Sequence, residues 1–450
     1  MRAGLPTQNE RSGIARFTKA QFLRLVTLRG NGRFLQLFGS AVMSQAVLSA
    51  ANLLVGFILI RRQSDVEYGY YVLVTATLLL LSGLQGAFIQ PSMIMRLARS
   101  DGSARSDLIG GLLREQRRFI RLAASIAAVV TGGLWLSGLL GSSLALLVLA
   151  GILASTAALY REFFRMVLLA HRRPIEVLSC DAVYVVFLVT GAFLATYSPL
   201  PAATAILTLG LAAAVGGGML SRAMWRHEPW KIDGAQTIVR EIIPLGAWSI
   251  SGSAIDWVFN QGYTYLVASM LNVQAVAALA ATRLLVMPVN LLSTGVSQIM
   301  LPTASGWLRV HGPRNLYRRL LLVSVVLSFL ILCYFGIMWA VRDWIFLHVL
   351  KKELKGRDTL LFLWCLIFFG LMLRDQLAHM LVVRGRMRQM SSVTLLSAAV
   401  ALTASYLAIQ QFGAAGALLG ILLGQYVSLM GIAILTWIES RRPEPNPEGG

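Results

Sequence analysis

Asp256, Arg283, Arg374 and Asp375 are charged residues that each lie in an apolar context in the sequence. A charge at the centre of a membrane-spanning helix costs about 2.5–3.5 kcal/mol on insertion scales, so such residues usually face a protein interior and carry function. An arginine in a cavity of low dielectric constant can bind a phosphate through two parallel hydrogen bonds. The alternative roles are a structural ion pair or, for Arg283, a side chain that extends to the membrane surface.

Sequence spacing predicts how these charges pair. Asp256 and Arg283 lie on consecutive predicted helices joined by a short loop, so an ion pair between them is possible. Arg374 and Asp375 are adjacent and point about 100° apart on a helix, so we expect them not to pair. Asp375 and His379 are four residues apart and share a helix face. We interpret Asp256, Asp375 and His379 as candidate sites for a coupling ion.

Polar residues recur at helical spacing in three of the apolar stretches. Because lipid offers these groups no hydrogen-bond partner, the polar faces should turn inward. The alternative is interhelical hydrogen bonding, at roughly 0.6 kcal/mol for each pair. The stripes are Ser249, Ser253, Asp256, Asn260 and Tyr263; Arg283, Asn290, Thr294 and Ser297; and Gln45, Ser49, Asn52 and Gly56. The candidate substrate-binding residues are Arg283, Arg374, Asp256, Asn260, Tyr263, Asn290, Gln45 and Asn52.

Composition indicates the elements that position these residues. The 450-residue chain is 56% hydrophobic and 13% charged, with a mean hydropathy of +0.68. A helix needs roughly 20 apolar residues to cross a membrane, and most of the chain is used by twelve such stretches. We therefore predict an all-α integral membrane protein with about 12 transmembrane helices. The stretches lie at about 35–60, 68–95, 119–140, 143–168, 175–196, 201–221, 242–271, 274–302, 319–340, 359–383, 391–410 and 413–438.

Basic residues alternate between the two sides of the predicted membrane. Most of the 40 Lys and Arg residues fall in the connectors on the side that includes both tails. The positive-inside rule then places both termini in the cytoplasm, with a multi-pass chain in the inner (cytoplasmic) membrane. Contact with anionic membrane lipids explains the net charge of +20 better than nucleic-acid binding, because no compact basic domain accompanies it. Asp181 is predicted to lie at the cytoplasmic membrane interface.

The sequence divides near its middle into two similar halves. The hydropathy pattern of the first half repeats in the second at an offset of about 207 residues, and an even number of helices in each half makes the repeat parallel. We expect two pseudo-symmetric six-helix lobes around a central cavity. The predicted units are a basic cytoplasmic tail (1–34), an N-lobe (35–221), a cytoplasmic linker (222–241), a C-lobe (242–438) and a C-terminal tail (439–450).

Motifs of catalysis are missing from the sequence. It contains no P-loop, GxSxG or HExxH motif, and its longest predicted outward loop is only about 341–358. We expect a protein that is not an enzyme, without metal or cofactor, with H+ or Na+ as the candidate coupling ion. Gly416, Gly420 and Gly424 form GxxxGxxxG in the last predicted helix, which favours close packing against a neighbouring helix of the same chain.

Two segments carry a resemblance to a known family. The run from FGSAVMSQAVLSAANLLVGFILIRR to SDVEYGYYVLVTATLLL resembles the opening of the polysaccharide-unit flippases, which belong to the multidrug/oligosaccharidyl-lipid/polysaccharide exporter superfamily. IDWVFNQGYTYLVASMLNVQAVAALAATRLL is similar to their seventh and eighth helices, with Asp256 and Arg283 at matching positions. The chain departs from the pattern at Trp257, where a basic residue is common, and at Ala277 and Ala278, where Gly and Tyr are common. FGAAGALLGILLGQ resembles their last helix.

The resemblance implies export of undecaprenyl diphosphate-linked oligosaccharide units for surface polysaccharides such as exopolysaccharide or lipopolysaccharide. Its partners would be the lipid-linked oligosaccharide, membrane lipids and other polysaccharide-assembly proteins. Arg283 and Arg374 would bind the diphosphate, while Asp256 would hold a coupling ion or pair with an arginine. One alternative is a cation-coupled multidrug extruder of the same superfamily. Another, from a different class, is a membrane-embedded polysaccharide-assembly enzyme such as a polymerase.

Overall fold

The described structure is built from helices alone. The computed structural model describes residues 28–97, 103–171, 173–227, 230, 237–352, 354 and 356–442. Its elements are α1 (Leu28–Arg62), α2 (Asp65–Leu97), α3 (Ser103–Leu136), α4 (Ser142–Ala170), α5 (Pro174–Ala195), α6 (Pro201–His227), α7 (Thr237–Met270), α8 (Val273–Trp344), a π-helix (Ile345–Leu350), α9 (Arg357–Val383), α10 (Met387–Phe412) and α11 (Ala414–Arg441).

The helices confirm a multi-pass membrane protein. Eleven segments among the described residues are long and apolar enough to cross a membrane. Large apolar side chains point away from the protein, including Val129 at 74% and Phe329 at 68% exposure, as expected where lipid replaces water. Each of the twelve predicted spans overlaps one of the helices, and the eighth and ninth both fall within α8.

The long helix α8 folds back on itself at Gly312. A straight helix of its 72 residues would extend roughly 108 Å, over three times the thickness of the hydrocarbon layer. Gly312 interrupts it with φ 74° and ψ 173°, a backbone conformation that glycine adopts without a steric penalty. The hydroxyl of Tyr334 donates to the carbonyl of Leu285 at 2.6 Å, so the two arms of α8 pack side by side.

Helix packing separates the first six helices from the rest. In the first half, α1 packs on α5 and α4 on α6; in the second half, α10 packs on α11 and α9 on both α8 and α11. The first two helices of each half form the boundary, where α2 packs on α7 and α8, and α1 packs on α8. The first two helices of each half thus occupy equivalent positions at the boundary, as expected for two lobes related by a pseudo-twofold axis.

The glycine motif of α11 packs as the sequence predicts. A Cβ atom at Gly416 would lie 2.1 Å from the carbonyl oxygen of Ala408, and one at Gly420 would lie 2.2 Å from the backbone nitrogen of Ser405. Gly424 similarly faces Ala401. Only glycine allows this approach of α11 to α10, so close packing within the chain is confirmed.

Several predicted segments either lie partly outside the described residues or differ from the structure. The basic tail predicted at 1–34 is described only from Leu28, where α1 begins. Residues 228–229 and 231–236 of the predicted 222–241 linker, and residues 443–450, lie outside the described chain. The 341–358 segment, predicted as a loop, is helical through Leu350. Lys351 then takes a left-handed conformation with φ 53°, and this turn ends the helix.

Candidate binding cavity

A cavity of about 360 Å³ lies within the second half of the chain and against one helix of the first half. Helices α7, α8, α9 and α11 form most of its wall, and α2 closes one side. Six of the eight predicted substrate-binding residues line it. Its polar lining comprises Ser253, Asp256, Asn260, Gln261, Tyr263, Arg283, Asn290, Arg374, Asp375 and Gln425.

The polar residues of α7 recur every three or four positions, and the stripe that they form faces the cavity. Asp256, Asn260 and Tyr263 therefore share one face of the helix. The side-chain amide of Asn260 donates to the Asp256 carbonyl at 2.8 Å and to the Asp256 carboxylate at 3.1 Å. Tyr263 is almost fully buried and presents its hydroxyl to the next helix. This face combines a carboxylate, an amide and a phenol.

Arg283 lies in the cavity among neutral partners. Its Nη1 donates to the Tyr263 hydroxyl at 3.2 Å and to the Gln261 side-chain oxygen at 3.4 Å. Its guanidinium carbon is 5.3 Å from the centre of the Trp364 ring. Among the described residues no carboxylate forms an ion pair with Arg283, and its buried Nε has no hydrogen-bond partner. The cation is thus held in place but not neutralised.

Trp364 is itself fixed, so Arg283 has a rigid support. The indole Nε1 of Trp364 donates to the Leu279 carbonyl at 3.1 Å. The Trp364 ring meets the Tyr263 ring edge-on at 5.8 Å, a favoured geometry for aromatic pairs. Two of the groups that contact the guanidinium, Trp364 and Tyr263, are therefore positioned before any ligand arrives.

The ion pair considered between Arg283 and Asp256 is not present. Arg283 bonds at the level of Gln261 and Tyr263, whereas Asp256 lies two turns away along α7, about 10 Å at 1.5 Å per residue. Within the described chain, the Asp256 carboxylate accepts its side-chain hydrogen bond from Asn260. The cavity therefore keeps a positive and a negative group apart.

The expectation that Arg374 and Asp375 do not pair is wrong. Arg374 donates from Nε and Nη2 to one carboxylate oxygen of Asp375, at 3.1 and 2.8 Å. Although the two Cβ atoms diverge, the long flexible side chain of arginine bends back toward its neighbour. Ser293 donates to the other Asp375 oxygen at 3.4 Å. The charge of Arg374 is therefore balanced locally, unlike that of Arg283.

His379 lies apart from the cavity lining. It is buried at 8% exposure, and its Nε2 has no hydrogen-bond partner among the described residues. Asp375, its predicted partner, is engaged by Arg374 and Ser293 instead. The assignment of Asp256, Asp375 and His379 to a coupling ion stays a prediction.

Gln45 and Asn52 are not among the residues that line this cavity. Both are exposed on α1, and Gln45 accepts a 3.4 Å hydrogen bond from Arg165 of α4. The stripe on α1 was correctly identified as helical, but sequence periodicity gives no information about which neighbour a face meets. Because α1 packs on α5, Gln45 faces other helices of the first half and not the cavity.

A buried charge cluster in the first half was missed. Asp181, predicted at the membrane interface, is completely buried and pairs with both Arg161 and Arg165. Ser44 of α1 donates to it at 2.5 Å, and Arg161 lies 3.8 Å from the Tyr184 ring centre. The available signal was two arginines four residues apart within the apolar run of α4.

The comparisons with known proteins agree with this geometry. A family described as "Polysaccharide biosynthesis protein" matches residues 177–353. An inward-facing multidrug resistance MATE family transporter of the MOP superfamily superposes with a TM-score of 0.71 at 11% identity, covering 87% of this chain and 94% of the transporter. The lipid II flippase MurJ, in an inward closed conformation, gives 0.71 at 8% identity, covering 88% and 87%.

The chain has the fold of these MATE and MurJ structures. A third match, a mutant of the Vibrio cholerae MATE transporter VcmN, has a TM-score of 0.62 at 14% identity and covers 92% of this chain and 97% of its own. No curated protein sequence matches the chain. The family match overlaps the quoted segment of α7 and α8, and the shared fold accounts for the two six-helix lobes and the cavity beside their boundary.

Proposed function

We propose that the chain is a flippase that moves lipid-linked oligosaccharide units across the inner (cytoplasmic) membrane by alternating access, with both termini in the cytoplasm. The observation that carries this proposal is the uncompensated charge of Arg283, whose contacts in the cavity are neutral polar and aromatic groups. Such a guanidinium binds phosphate oxygens strongly where water is scarce. The undecaprenyl diphosphate of the substrate supplies that group.

The rest of the cavity suits the other parts of the same ligand. Trp257, Trp364 and Phe368 offer flat apolar surfaces, and Asn260, Asn290 and Gln425 offer amides. Sugars present hydroxyls together with apolar ring faces, so both kinds of side chain contact them. The lipid tail remains in the membrane at the boundary between the halves. The matches to a polysaccharide biosynthesis family and to a lipid II flippase fold support this choice of substrate class.

A cation-coupled multidrug extruder is the second candidate, and Asp256 is the observation that favours it. Its carboxylate lines the cavity and has a neutral amide as its hydrogen-bond partner. A lone carboxylate in such a site attracts a cationic drug, a sodium ion or a proton. In the flippase proposal, the same carboxylate holds the coupling ion.

The test compares cells that lack the protein with cells that carry Arg283→Ala. The flippase proposal predicts that lipid-linked oligosaccharide accumulates and surface polysaccharide is lost in both. Arg388→Ala, an exposed arginine outside the cavity, is the control and should behave as wild type. Normal surface polysaccharide together with accumulation of a cationic drug would favour the extruder. Polymerisation of the glycan by the purified protein would instead identify an enzyme.

A further inference from the structure

A second pocket, of about 640 Å³, lies at the end of the bundle that the charge pattern predicts to be outside. We call it the outer pocket. Arg61 and Arg62 at the end of α1 and Lys351 after the π-helix line it, together with Leu54, Phe57 and Phe193. It shares no lining residue with the cavity around Arg283. Its wall joins α1 and α5 of the first half to the π-helix of the second.

The three cations of the outer pocket lack carboxylate partners among the described residues. Arg62 lies over the Phe193 ring at 4.6 Å and donates to the Tyr197 hydroxyl at 2.8 Å. The adjacent Lys352, by contrast, is paired with Asp65 at 2.7 Å. Arginines at the C-terminal end of a helix also stabilise the last carbonyl groups of that helix. This role does not explain why a third cation, Lys351, lies opposite Arg61 and Arg62.

The conformation of Lys351 brings that third cation into the outer pocket. Lys351 is the only residue other than glycine with a positive φ in the described chain, and this conformation costs about 1–2 kcal/mol for an ordinary residue. It directly follows a π-helix, a form that occurs frequently at functional sites. Because of this turn, Lys351 lines the outer pocket, whereas the next residue, Lys352, contacts the first half.

The apolar part of the outer pocket opens toward lipid. Leu54 is 47% and Phe193 40% exposed, although both lie on membrane-spanning helices. A ligand in contact with them therefore needs an apolar chain, while the three cations require a negative head. Each basic residue near a membrane surface contributes measurably to the binding of anionic lipid.

We propose that the outer pocket binds the anionic phosphate of a lipid from the outer half of the bilayer, with its chain along Leu54, Phe57 and Phe193. The sidedness rests on the proposed function and its topology. Two sources share this chemistry: an anionic phospholipid, and the lipid-linked phosphate that the flippase releases. Because its walls come from both halves, the outer pocket should change shape whenever the halves separate.

The test uses the purified full-length protein and a photoreactive phosphatidylglycerol, with crosslinked peptides identified by mass spectrometry. Labelling of residues 54–62 or 345–351 should fall at least about tenfold in Arg61→Gln/Arg62→Gln/Lys351→Gln. Arg222→Gln/Arg226→Gln/Arg309→Gln removes three exposed cations at the opposite end and should leave this labelling unchanged. All these side chains are exposed, so the variants should keep the wild-type unfolding temperature.

Competition identifies the source of the lipid. Polyprenyl diphosphate that displaces the probe at lower concentration than unlabelled phosphatidylglycerol points to the released product, and the reverse order points to membrane phospholipid. Equal labelling by a zwitterionic photoreactive phosphatidylcholine, or unchanged labelling in the triple variant, would overturn the proposal. Since Arg283 is intact throughout, failure here is distinguishable from failure of the proposed function.

Discussion

Lys352 joins the two halves of the protein by an ion pair with Asp65, with 2.7 Å between its Nζ and a carboxylate oxygen. The same ammonium donates to the Gln63 carbonyl at 2.9 Å. Asp65 begins α2 in the first half, whereas Lys352 follows the π-helix of the second. The pair closes the end of the bundle that is predicted to be outside, so the proposed alternating access would require it to break.

Removing the Lys352–Asp65 pair should favour opening at that end. Asp65→Asn is expected to shift the population toward the outward-open form by up to roughly fivefold, because a partly exposed ion pair is worth about 0–1 kcal/mol. Distances between spin labels on α1 and the π-helix measure this shift. Asp343→Asn, which breaks a pair within the second half, is the control. Identical distance distributions in Asp65→Asn and wild type would rule out a gate.

The two halves approach closely at Gly69, and an alanine there should disfavour the closed state. A Cβ atom at Gly69 would lie 2.2 Å from the backbone oxygen of Val273, and a backbone atom cannot rotate away. Overpacking of this kind costs about 1–3 kcal/mol, so the closed population should fall by about tenfold. Gly86→Ala, which meets nothing within 4 Å, should transport normally. Normal transport by Gly69→Ala would contradict this description of the closed state.

Asp181 should be required for stability rather than for substrate binding. Asp181→Asn leaves Arg161 buried without its carboxylate and removes one of the two carboxylates that Arg165 contacts, and losing one partner of a buried pair costs about 3–5 kcal/mol. We expect a clear fall in the unfolding temperature in detergent. Glu115→Gln, which removes the partner of the exposed Arg118, should have little effect. A variant as stable as wild type would show that the cluster is not structural.

Asp256 should affect coupling more than substrate binding. Asp256→Asn keeps the hydrogen-bonding shape of the side chain but removes its charge. We expect transport in vesicles to lose its acceleration by an imposed proton or sodium gradient, while the affinity for the lipid-linked substrate changes little. If the full response to both gradients persists in Asp256→Asn, the coupling ion binds elsewhere.

Hydropathy and spacing predicted the helices and the α7 part of the cavity. The stripe at Asp256, Asn260 and Tyr263 is local, so helical periodicity alone determines which side chains share a face. Contacts between helices depend on packing, which explains why the surroundings of Gln45 and the burial of Asp181 were not predicted. The Arg374 pairing depends on the flexibility of one side chain, which backbone periodicity does not describe.

We propose that Arg283 binds the diphosphate of the transported lipid. The most direct measurement is the flipping rate of a lipid diphosphate-linked oligosaccharide in vesicles that contain purified wild type, Arg283→Ala or Arg283→Lys. Loss of a charged hydrogen bond costs about 1.5–3 kcal/mol, so Arg283→Ala should be roughly ten- to a hundredfold slower, with partial recovery in Arg283→Lys. A wild-type rate from correctly folded Arg283→Ala would contradict the account.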